Sequence, residues 1–201
     1  MTPDELKDEI RVCDPMQFCK DRLFGSENWL FEEYEEEDIF GTYDEFKSSI
    51  SKISGVNKKD IKLAGSSRFG ISMSPKTNKF FRKFNDESDL DIVIVSSDLF
   101  NYLWNNFRYA YYNGYPWIKD RHSGDVFRIF LHLVGNSDYG TKYLRTISTN
   151  FNKMSAEVSK TTGISRDLKY RIYNQWDDAH LYHASGIKKL KDKHSKCHLM
   201  L

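Results

Sequence analysis

Asp89 and Asp91 stand either side of Leu90 at the head of the apolar run Leu90–Val95. Side chains of a strand alternate between faces, so the two carboxylates project together while Leu90 points into the core. Carboxylates held that close repel one another unless a cation lies between them. Oxygen ligands of this kind suit Mg²⁺ or Mn²⁺, ions that also grip phosphate oxygens. Upstream runs Gly65-Ser66-Ser67-Arg68-Phe69-Gly70. Gly65 lets a backbone approach a phosphate closely. Ser66 falls at a helix start, where unpaired N–H groups and the helix dipole favour anions. Arg68 offers a bidentate phosphate contact. Together these parts suit in-line displacement at a phosphate, with metal ions steadying the attacking and departing oxygens.

The two blocks resemble the active-site signature of the nucleotidyltransferase superfamily built around the DNA polymerase β catalytic core. They are most similar to its minimal members, whose pattern runs Gly-Ser, a basic residue, Gly, then Ser-Asp-x-Asp at the start of a strand. Gly65, Ser66, Arg68, Gly70, Ser88, Asp89 and Asp91 carry the match, which spans residues 65–91. Each block alone is unspecific: Gly-Ser-Ser is an ordinary turn, and Asp-x-Asp often caps a strand. Their order and contexts make the pair specific. The resemblance implies a nucleotidyltransferase using Mg²⁺ (or Mn²⁺) and an NTP, ATP first among them. Asp89 and Asp91 would hold the metal; Gly65, Ser66, Arg68 and Ser88 would seat the nucleotide. Small stand-alone members modify proteins, tRNA ends or small molecules, and several belong to toxin–antitoxin or phage-defence operons.

The superfamily pattern also has a third carboxylate on a neighbouring strand. The strand that could supply it here, Leu168–Tyr173, carries Lys169 and Arg171 at its central polar positions. If Arg171 faces the carboxylate pair, it takes the acid's place and becomes a phosphate ligand. Glu87, Asp120, His122 or Asp125 would then have to accept the proton. Residues 119–125 read either as an active-site loop or as a plain surface loop. The alternative to an enzyme is a catalytically weak module that binds nucleotide or RNA. A third reading is a protein-interaction partner in a toxin–antitoxin pair.

The elements that must position these residues can be read from caps and periodicity. Thr2-Pro3-Asp4-Glu5 starts a helix that ends near Asp14-Pro15, and a short helical stretch follows over Met16–Leu23. Thr42 caps a helix ending at Gly55. Residues 60–64, 90–95 and 168–173 read as strands. Helices follow Ser97 or Asp98, cover 141–160, and run from Trp176 through Leu190. Residues 115–140 carry no clear pattern. Residues 71–86 hold Lys76, Lys79, Arg82 and Lys83 among Phe80, Phe81 and Phe84. They read as a basic flap over a triphosphate or acceptor nucleic acid, or, with a slight preference, as a β-hairpin with a solvated outer face. The order predicts one α/β (α+β) domain: a small mixed β-sheet of the nucleotidyltransferase fold covered by helices. Residues 1–41 would form an acidic helical segment packed on a core of 42–201.

Composition narrows the functional classes. The 201 residues carry 30 Lys+Arg and 29 Asp+Glu, a net charge of +1, with 15% aromatics. That is a folded chain rather than a disordered one. No apolar run approaches membrane length, and the acidic start is no secretory signal, so the expectation is a cytoplasmic protein without membrane partners. The charge is unevenly spread: residues 1–45 hold 15 acids and 4 bases, the remainder 14 acids and 26 bases. The basic part suits an anionic ligand. The acidic run Glu32–Asp38 reads as a solvated face, a cover over the basic face, or a surface for a partner protein. Cys13, Cys19 and Cys197 form no C-x-x-C pair and read as plain thiols. His180 and His183, one turn apart, lack an evident third ligand and read more simply as packed or surface residues than as a metal pair.

Overall fold

A computed structural model describes residues 2–26, 28–34, 39–76, 79–134 and 141–198, with the backbone alone at Pro3, Val134 and 196–198. Glu35–Asp38, the densest part of the acidic run, and the Cys197 side chain therefore lie outside the described residues.

The chain forms a mixed α/β structure around a four-stranded sheet of order β1-β4-β6-β5. Strands β1 (Ile61–Ala64) and β4 (Leu90–Val95) are antiparallel, β4 and β6 (Leu168–Tyr173) parallel, and β6 and β5 (Phe130–Val134) antiparallel. A separate antiparallel hairpin joins β2 (Ile71–Met73) to β3 (Phe80–Lys83).

Period-two alternation divides the sheet's residues between two cores. Leu63, Leu90, Ile92, Ile94, Tyr170 and Ile172 face one side, packed with α4 (Tyr43–Ser54), α6 (Ser97–Tyr112), α7 (Trp117–Phe127) and α8 (Arg145–Thr162). Ala64, Val93, Val95, Phe130 and Tyr173 face the other, packed with α1 (Pro3–Val12), α2 (Pro15–Phe18) and α9 (Trp176–His198). Asp91, Lys169 and Arg171 share this second face by the same alternation.

The helix starts follow the caps. Thr2 Oγ1 accepts from Glu5 N at 3.3 Å, and Thr2 N donates to Glu5 Oε2 at 2.7 Å. Thr42 and Glu45 repeat this reciprocal arrangement, and Gly55 closes α4 in the left-handed region with φ 73°. The stretch after Pro15 is α2 followed by a π-helical turn over Cys19–Leu23.

Residues 119–125 differ from both loop readings: they lie inside α7. Ile118 and His122, four residues apart, are buried, and Lys119, Asp120 and Arg121 face outward. The polar run is the outer surface of a helix. The N-terminal segment, with the single-turn helix α3 (Trp29–Glu32), is pinned by aromatics: Trp29 meets Tyr34 and Phe84, and Phe31 stacks on Tyr43. Among the described residues no helix is long and apolar enough to cross a membrane.

Candidate functional site

On the second face of the sheet, beside α9, the starts of β4 and β6 open into a cleft of about 810 Å³. Gly65, Ser66, Ser88, Asp89, Asp91 and Arg171 all line it. Arg68 does not. It is buried, and its Nε and Nη2 donate to the Arg22 carbonyl at 3.0 and 2.7 Å, with the guanidinium over the Phe69 ring. Arg68 thus anchors the N-terminal segment.

Arg171 faces the carboxylate pair. Its Nη1 donates to Asp91 Oδ1 at 2.6 Å, and Lys169 Nζ forms the matching ion pair with Asp89. In the parallel register Asp91 lies beside Lys169 and Val93 beside Arg171. Each cation therefore reaches back to the carboxylate two residues before its own neighbour. Burial is the largest single influence on Arg171 and opposes its charge, but the Asp91 carboxylate, its hydrogen bond and the neighbouring Tyr173 and Tyr182 together outweigh it and keep the guanidinium protonated. Lys169 is shifted downward by burial and by its cationic neighbours Lys79 and Arg171.

Gly65 is shaped by Asp91. Its φ is +69°, and a Cβ there would lie 3.0 Å from Asp91 Oδ2. The close approach made by Gly65 here is to the Asp91 carboxylate. The helix it opens, α5 (Ser66–Phe69), is a single turn, too short for a strong dipole. Gly70 closes it at φ +72°, under the Trp29 indole, whose Cε2 would be 2.6 Å from a Cβ. Ser88 is buried, accepting from Asn85 N and donating to Asn85 Oδ1, both at 3.0 Å. That turn sets the start of β4, and Arg166 straps it by donating to the Asn85 carbonyl at 2.6 Å.

The cleft is strongly basic. Lys76, Lys79, Arg82 and Lys83 from the hairpin join Lys169, Arg171, Arg128 and Lys189, against the carboxylates of Asp89, Asp91 and Asp178. The hairpin's cations thus face the cleft; its aromatics Phe80 and Phe81 pack toward α9, where His194 meets both rings. Such a cleft attracts phosphates more readily than a bare divalent cation.

His132, which no motif or spacing singles out, also lines the cleft and lies beside Arg171 in the register. Its Nε2 is buried without a hydrogen-bond partner. Burial, then Arg171, pushes its pKa down, so the ring is neutral. It could have been found only from β5, within the stretch that carries no pattern. The other proton acceptors considered lie elsewhere: Glu87, Asp120, His122 and Asp125 do not line the cleft. His122 stacks on Phe107 with ring centroids 4.4 Å apart, and Asp125 pairs with Arg128. His183 lies against Tyr173, whose hydroxyl is 3.2 Å from its Nε2, and burial lowers its pKa to about 3. His180 packs on Phe24 and Trp176.

No family model matches the chain, and searches of curated proteins and of solved structures found no match.

As arranged, the residues do not fit a divalent ion. The two carboxylates that would bind it are already neutralised by Arg171 and Lys169, and where the resemblance calls for a third carboxylate the strand supplies cations. Among the described residues no group of three His, Cys, Asp or Glu side chains is placed to hold a metal.

Proposed function

We propose that the chain is a nucleotide-binding module with a nucleotidyltransferase-like site, taking the phosphates of a nucleoside triphosphate into the basic cleft without requiring a divalent ion. The observation that carries this reading is the double pairing of Arg171 with Asp91 and Lys169 with Asp89. Guanidinium and ammonium groups standing where a metal would stand can bind phosphate themselves. The resemblance of residues 65–91 to the superfamily signature supports a nucleotide as the anion.

The phosphates would meet Lys169 and Arg171 on the sheet, with the hairpin cations on the other side of the cleft. Asp89 and Asp91 hold the two cations in place while the cleft is empty and compete with the incoming phosphates for them.

A second reading, metal-dependent transfer of the nucleotidyl group to a protein, RNA or small molecule, is favoured by the side-by-side carboxylates. It requires both cations to leave them. Equilibrium binding of each NTP, in EDTA and in Mg²⁺, separates the two. The module binds in EDTA and binds more tightly when Asp89→Asn and Asp91→Asn free its cations. The transferase needs Mg²⁺ or Mn²⁺, loses function in those variants, and moves α-label to an acceptor.

A further inference from the structure

Among the described residues, three exposed large hydrophobic side chains share one place: Phe127 (86% exposed, the highest of them), Leu181 (61%) and Ile129 (40%) all line the basic cleft. They come from the end of α7, the turn into β5, and α9. Between them Arg128 lies over the Phe130 and Tyr182 rings, at 5.2 and 5.8 Å, tying the turn to α9. Ile129 has φ 56°, a conformation that a β-branched residue adopts only under constraint. Its N–H bonds to the Val126 carbonyl at 2.9 Å, closing the turn that presents Phe127. A strained turn holding an exposed aromatic ring beside a cationic floor points to a ligand surface.

We infer that this cleft takes a single-stranded nucleic acid, one base lying on the Phe127–Ile129–Leu181 shelf while the backbone runs along the hairpin cations. The inference rests on the reading of the cleft as a phosphate site, and adds a second ligand class to it. Lys169 and Arg171, already on the floor, suffice for the phosphates of one nucleotide. Lys76, Lys79, Arg82 and Lys83 extend the positive surface beyond them, matching a longer polyanion. Ile129 directly precedes β5, on which His132, the register neighbour of Arg171, lies about 7 Å beyond Phe130. A basic track with a stacking platform beside it is how proteins hold single strands without reading sequence.

Fluorescence anisotropy with 5′-labelled oligo-U and oligo-dT of about ten nucleotides tests it, with ATP binding measured in parallel. Phe127→Ala should weaken strand binding at least about fivefold, Phe127→Tyr should restore it, and ATP binding should not change. Lys79→Gln with Lys83→Gln should flatten the salt dependence by about 1.4 in log–log slope, the share of two phosphate contacts. Strand affinity unchanged in Phe127→Ala would overturn the inference, as would failure of the wild type to bind either oligonucleotide at low salt. An equal loss of ATP and strand binding would also overturn it, making the shelf the seat of a free nucleotide's base. Strand binding that behaves as expected beside absent ATP binding would leave this inference standing and remove the nucleotide reading alone.

Discussion

Arg171 Nη1 lies 2.6 Å from Asp91 Oδ1, on the strand next to β4 and on the same face. The side chains are only 18% and 26% exposed, so the pair is sheltered but reachable from the cleft. A sheltered pair depends on both members: removing one leaves the other desolvated and unpartnered.

Asp91→Asn should therefore have two opposite effects. Stability should fall by about 1–3 kcal/mol as Arg171 loses its counter-charge, a value reduced from the fully buried case because the pair is partly exposed. Phosphate affinity should rise. Thermal unfolding with and without ATP reads both: a lower Tm for the free variant and a larger ligand-induced shift than in the wild type.

Gly65→Ala brings a Cβ to 3.0 Å from Asp91 Oδ2 at a φ of +69°. The strain should cost about 1–3 kcal/mol in urea unfolding. The carboxylate must also shift, so the nucleotide affinity should change with the stability. Gly55→Ala, also at positive φ but with open space around it, should destabilise without touching affinity.

Arg68→Met separates the two roles available to that residue. A phosphate ligand would lose affinity on substitution. Bound to the Arg22 carbonyl, Arg68 should instead show a lower unfolding midpoint with nucleotide binding unchanged in the folded protein.

Acid should weaken the fold through its buried histidines. Burial lowers His183 to about 3 and His122 to about 4, from an ordinary 6.5. Below pH 6.5 the unfolded chain takes up protons that the native rings refuse, so stability falls as pH drops through that window toward 3–4. Between pH 6.5 and 5 the loss should be about 1–2 kcal/mol per histidine. Urea unfolding across that range should show it, with a shallower slope in His183→Gln. Cys19, held up to about 12 by burial, should stay unreactive toward thiol reagents in the folded protein at neutral pH.

Outside residues 115–140, the local elements were legible in the chain. The Thr2/Glu5 and Thr42/Glu45 boxes mark helix starts because cap and first turn are adjacent in the chain. The β-branched run Leu90–Val95 and the alternating Leu168–Tyr173 mark strands because both patterns are also local. The two-residue period of a strand puts Asp89 and Asp91 on one face, and the amino-acid types alone show that Leu168–Tyr173 offers Lys169 and Arg171. What those residues meet depends on the folded chain. The cation–carboxylate pairs depend on the parallel register of β4 with β6, set by a crossover of more than seventy residues. Arg68 looks like a phosphate ligand until the turn at Arg22 folds over it. His122 looks like a loop base until α7 turns it onto Phe107, and His132 gains a role only when β5 joins the edge of the sheet. Each of these outcomes is a contact between distant segments, and spacing within one segment carries no information about its partner across the fold.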